Sequence, residues 1–278
     1  MRKLLFVTIF PAMLLAGNVG IVLENHKGES SYKVESPTQN LESKLYFPFE
    51  LNTLGLFYST DVYGFNILLR TDFMLNSKTT TGKDYDWYNN NLTVFSTSDN
   101  KIDKFNSYSI AVSKELFQKL NLTSRILHKN MDMFWSNTIE QDFVQNKTST
   151  NENLSLEYQQ DFYQLNLGLN YEISILDYLQ LELEPSFIYA YIEAKDSHIL
   201  RNFYTTQYSN AFGYGLKANI SKQITDSSKI SINFEYETYS DNDTKMYYYN
   251  SVHENYLTLP SSYKYKNSSI GLSYVYMF

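Results

Sequence analysis

Polar and apolar residues alternate along most of this chain. In residues 268–278, SSIGLSYVYMF, Ile270, Leu272, Tyr274, Tyr276 and Phe278 fall on one face and Gly271, Ser273, Val275 and Met277 on the other. The same dyad runs through KISINFEYET, YQLNLGLNYEI and LQLELEPSFIYAY, and in VYGFNILLRTDF the polar Asn66, Arg70 and Asp72 break up the apolar run at every second place or nearly so. Period-two alternation predicts β-strands with one face in an apolar medium and the other in a polar one. About ten strands are expected, near 21–35, 42–59, 62–76, 104–117, 120–136, 153–174, 178–194, 200–223, 228–239 and 263–278.

A water-soluble sandwich also alternates. Here, however, Glu and Gln stand mid-strand on the polar face, and the connections alternate short and long. Short turns are expected at Thr60-Asp61, Gln118-Lys119, Asp177-Tyr178 and Asp226-Ser227, and long loops at 77–103, 137–152 and 240–262. Short turns at one end, long loops at the other and an even strand count are the pattern of an outer-membrane barrel. The expected fold is all-β, a ten-stranded antiparallel transmembrane β-barrel. A barrel of that size has an interior filled by side chains, which argues against a general diffusion pore.

Composition sharpens this. Tyr (26) and Phe (18) are abundant while Gly (10) and Pro (5) are few, and Cys is absent, which excludes a disulfide-stapled fold. A net charge of −7 argues against a nucleic-acid partner. The opening MRKLLFVTIFPAMLLAGNVG has a basic start, an apolar run and small residues after it. It is expected to be a signal peptide, residues 1–20, cleaved near 16–20, with a single barrel domain over 21–278.

Two short stretches carry candidate chemistry: Asp84-Tyr85-Asp86-Trp87, in the expected second exterior loop at 77–103, and Asp196-Ser197-His198, at the end of the seventh expected strand. Strand parity turns Ala194, Asp196 and His198 inward, and both stretches fall at the same rim. A His beside a carboxylate is a general base near neutrality, and two close carboxylates can share a proton or position a water. Such a set suits amide hydrolysis without a metal or a covalent nucleophile. Asp241-Asn242-Asp243 has the same spacing but no following Trp and no partner His, so it is read as solvated. His26, His128 and His253 have no metal-ligand spacing, and Tyr247, Tyr248 and Tyr249 read as interfacial anchors.

With these motifs in these loops, the chain resembles the omptins, a family of ten-stranded outer-membrane endopeptidases. Asp84-x-Asp86-Trp87 and Asp196-x-His198 match the family's two catalytic motifs, and Ser43-Lys44-Leu45 resembles its Ser-x-Leu segment. The resemblance implies an aspartic-type endopeptidase with Asp84, Asp86, Asp196 and His198 as its catalytic set, facing the exterior. It implies peptide or protein substrates, surrounding outer-membrane lipid such as lipopolysaccharide, a monomer, and no cofactor or metal. The family's two pocket acids fall here on Ala194 and Tyr32, with Glu29, Glu35 and Glu193 nearby but out of register. Cleavage confined to basic residues is therefore not expected. The competing expectation is a non-catalytic barrel that keeps the fold for adhesion or envelope structure.

Overall fold

Twelve strands account for nearly all of the chain in a computed structural model, which describes residues 17–176, 178–250 and 257–278. They are β1 (Gly17–Ser36), β2 (Leu41–Val62), β3 (Phe65–Lys78), β4 (Thr80–Tyr88), β5 (Asn91–Phe117) and β6 (Leu120–Asp142). The remaining six are β7 (Lys147–Asn151), β8 (Leu156–Leu176), β9 (Leu179–His198), β10 (Phe203–Thr225), β11 (Ser228–Asn250) and β12 (Leu257–Met277). All pairings are antiparallel, and β1 pairs with both β2 and β12, which closes the ring. β3 and β4 both pair with β2 on one side and β5 on the other, so they form one wall interrupted at Thr79. β7 adds only a short ribbon to the end of β6. The wall thus has ten strands, as the alternation predicts.

The expected long loops are mostly strand. Residues 77–103 form a hairpin of β4 and β5 that turns on Asn89-Asn90, both at positive φ, and β11 runs on to Asn250. Adjacent positive-φ residues are what a tight two-residue hairpin turn requires. The first short turn lies at Tyr63-Gly64 rather than at Thr60-Asp61, again with both residues at positive φ. Turns at Gln118-Lys119 and Asp226-Ser227 fall as expected, whereas Asp177 lies outside the described residues. So does most of the expected signal segment. Gly17–Gly20 are already paired in β1, so cleavage after Ala16 would keep the wall intact and cleavage after Gly20 would cut into it.

The dyad places Val19, Ile21, Leu23, Leu165, Leu167, Ile232, Ile270 and Leu272 outward, in an exposed apolar belt. Inside that belt the lumen is polar. Arg70 meets Glu24 and Asp72, Arg125 meets Glu235, and Lys129 meets Glu237. Each buried charge has an opposite partner, which such burial demands. Towards the end remote from Gly17 and Phe278 the interior becomes apolar and close-packed: Tyr32, Phe47, Met131, Met133, Trp135, Tyr158, Phe162 and Ile192 are all buried. This aromatic layer is the floor on which the candidate site rests.

Candidate functional site

Asp84 and Asp86 lie on β4, not in a loop, with Leu45 opposite Asp84 and Ser43 opposite Asp86 on β2. They point inward, because Gly82, two residues earlier on the same face, packs directly on the Trp135 ring. Asp196 and His198 end β9 and also point inward, as parity predicts. Asp196 lies opposite Tyr158 of β8 and Thr205 of β10, and His198 opposite Leu156 and Phe203. Both pairs occupy the same end of the barrel.

His198 Nε2 stands 3.4 Å from Asp196 Oδ2, and the two side chains are 14% and 1% exposed. The His198 ring stacks on Phe203, centroids 4.3 Å apart. Burial works to lower the imidazole pKa, but the Asp196 charge and hydrogen bond outweigh it and hold His198 above its ordinary value. The Asp84 carboxyl is pushed up to about 7, first by burial and then by the charge of Asp86. The Arg201 guanidinium, in the turn after β9, opposes that rise, and so does His198. Asp84 in turn favours the imidazolium of His198. The two motifs are therefore within electrostatic reach of one another.

Two further contacts were not foreseen from the motifs. Ser43 Oγ donates to Asp84 Oδ1 at 3.4 Å, which gives the Ser-x-Leu segment a contact in this site. Tyr32 donates its phenolic hydrogen to Asp196 Oδ2 from the other side of the lumen. No local pattern announces that second contact.

The expected pocket positions are buried. Tyr32 is 3% and Ala194 6% exposed, and both belong to the aromatic layer. In register, Ala194 sits between Gln160 of β8 and Gln207 of β10. None of the nearby acids replaces the missing pair. Glu29 points outward to Lys266 (3.6 Å), Glu35 pairs with Lys33 (2.7 Å), and Glu193 is on the exposed face. Asp241 is not simply solvated: its carboxylate accepts from the backbone N–H groups of Asn210 and Asp243 and so holds a bulge in β11. His26 is a lumen residue bonded to Thr53 (3.1 Å), His128 stacks outside on Tyr163, and His253 lies outside the described residues. Among the described residues no cluster of His, Asp and Glu could hold a metal.

No family model matches the sequence, and no curated protein matches it. The structure does have likenesses among solved ones. It is similar to the outer membrane protease OmpT from Escherichia coli, with a TM-score of 0.84 at 14% identity, over 95% of this chain and 97% of that one. It also matches the translocator domain of the autotransporter NalP from Neisseria meningitidis (TM-score 0.43, 9% identity, 98% and 92% covered). A third match is the transport unit of the autotransporter AIDA-I from Escherichia coli (TM-score 0.40, 11% identity, 93% and 90% covered). The fold is that of an outer-membrane β-barrel, and at this identity the likeness to OmpT establishes the fold alone.

Proposed function

We propose that this chain is an omptin-like endopeptidase of the outer membrane that hydrolyses peptides at the barrel's exterior mouth. The observation that carries the reading is the pairing of His198 with Asp196, 3.4 Å apart and nearly buried, at the same end as the carboxyl pair Asp84 and Asp86. In this mechanism a water is held between Asp84/Asp86 and His198. Neutral His198 takes a proton from that water as the oxygen attacks the peptide carbonyl. Asp196 keeps the ring oriented and stabilises the imidazolium, which then returns the proton to the departing amine. Asp84 and Asp86 position the water and share a proton between them, because two close carboxylates ionise with difficulty together. The enzyme works as a monomer surrounded by outer-membrane lipid, lipopolysaccharide included.

The burial of Ala194 and Tyr32 favours a second reading, a barrel that keeps the fold without cutting peptides. One experiment separates the two. The refolded protein, checked for the heat-dependent gel shift of a closed barrel, is incubated with a random peptide library and the products are read by mass spectrometry. Cleavage that falls by roughly 10²–10⁴-fold in His198→Ala supports the hydrolase. Cleavage by neither protein, or equally by both, refutes it.

A further inference from the structure

The motif residues leave one contact at the site unexplained. Tyr32 comes from β1, and in register it shares a row with Leu45 of β2 and Asp84 of β4. Its phenol does not stay on that side. It crosses the lumen, packs against Phe47 and Tyr158 (centroids 6.0 and 5.7 Å away), and ends on Asp196 Oδ2. That is the same oxygen that His198 Nε2 faces. The other carboxylate oxygen, Oδ1, is buried with no hydrogen-bond partner. Two donors thus converge on one atom of Asp196, and the residue on the far wall is one of them.

We propose that Tyr32 is a positioning residue which, by donating to Asp196 Oδ2, fixes that carboxylate and governs how strongly it holds the His198 imidazolium. This rests on the hydrolase reading for its catalytic meaning, though not for its physical test. Tyr32 is suited to the role. Its own ionisation is pushed well up, by burial first and by the Asp196 charge next, so it remains a donor. A hydrogen bond to a carboxylate disperses charge that would otherwise act on the imidazolium. With Tyr32 in place the His198 base is weaker, and a larger share of it is neutral and able to take a proton at neutral pH. The other charged or titratable groups acting on His198, Asp196 or Tyr32 are Asp84 on β4, Arg201 in the turn after β9, Tyr158 on β8 and Tyr248 on β11. All of these stay unchanged when the Tyr32 hydroxyl alone is removed.

The test is a histidine-labelled NMR titration of the full chain in detergent micelles, with the His198 resonance assigned by its loss in His198→Gln. Tyr32→Phe should raise the His198 pKa by roughly 0.5–1 unit. The acid limb of the kcat/KM profile should move up by the same amount. Tyr239→Phe removes a buried hydroxyl of the same layer, one that accepts from Gln164, and should leave His198 in place. An unmoved or lowered His198 pKa in Tyr32→Phe overturns the proposal, and so does an equal shift in Tyr239→Phe. Should Tyr32→Phe fail to give the folded gel band, the unmodified protein is read instead. It should show a downfield, exchange-protected phenolic proton that is lost in Asp196→Ala, and its absence overturns the proposal. A protein that cleaves nothing yet shows the His198 shift refutes the hydrolase and leaves the Tyr32 assignment standing. A peptidase whose His198 does not move does the reverse.

Discussion

Phe47 of β2 stacks on Tyr158 of β8 with ring centroids 4.2 Å apart, although the two strands belong to opposite walls of the barrel. Trp135 of β6 closes on the same Phe47 ring at 4.8 Å. The walls are thereby joined directly beneath Asp84 and Asp196. Phe47 is fully buried, so Phe47→Ala should cost about 3–5 kcal/mol, the usual range for an aromatic truncated in a packed core. Urea unfolding of the barrel in micelles, followed by tryptophan fluorescence, measures it. A loss below about 1 kcal/mol would mean that the layer does not brace the walls.

Asp84 makes stability depend on pH. Its folded-state pKa of about 7 lies above the ordinary 3.8, so between those values the folded chain binds more protons than the unfolded one. The contribution is full below pH ~4 and is lost as the pH rises through about 7. Asp84→Asn removes the titrating group, so its melting temperature should change less between pH 5 and 8 than that of the unmodified protein. Parallel melting curves for the two proteins would contradict the raised pKa.

At Gly82 the backbone of β4 lies directly against the Trp135 side chain of β6. A Cβ there would overlap the Trp135 ring. Gly82→Ala should therefore push the hairpin away from the lumen and carry Asp84 and Asp86 with it. On the hydrolase reading, kcat/KM should fall roughly 10- to 100-fold with the folded gel band retained, since an ångström of misplacement is costly to catalysis. Unchanged turnover would show that the hairpin tolerates the shift.

Ala194 should control preference at the cleavage site. A buried cationic side chain needs a carboxylate partner, and neither Ala194 nor Tyr32 supplies one. The unmodified protein should cut at sites not confined to Arg and Lys, and Ala194→Asp should raise kcat/KM for basic sites relative to apolar ones. Peptide-library profiles of both proteins decide this. With Glu29 and Glu193 both directed outward, strict basic preference in the unmodified protein would leave the pocket acid unaccounted for.

The wall was legible in the sequence because lipid outside and polar lumen inside force alternation, as Ile230 to Tyr236 and Ile270 to Phe278 display. Above the belt both faces meet water or a packed interior, so the contrast fades. That is why 77–103 reads as loop although it is a hairpin: in KDYDWY the outward face carries the charged Lys83 beside Tyr85 and Trp87, and the inward face carries Asp84 and Asp86. Asp196 and His198 could be placed because β9 carries a clear dyad up to them. The contact between Tyr32 and Asp196 could not. It depends on how far across the lumen a phenol reaches and how the walls are staggered, and neither leaves a local signature.

Gly17 and Phe278 exchange both of their backbone hydrogen bonds, N–H to carbonyl in each direction, at 3.1 and 3.0 Å. The seam between β1 and β12 therefore joins the most distant described parts of the chain. Until it closes, two strand edges present unpaired N–H and carbonyl groups, which hydrocarbon does not tolerate. Assembly must then be concerted with insertion, and its slow step is a long-range search rather than the zipping of hairpins. A variant that loosens this seam should be impaired in reaching the membrane before it is impaired in anything it does there.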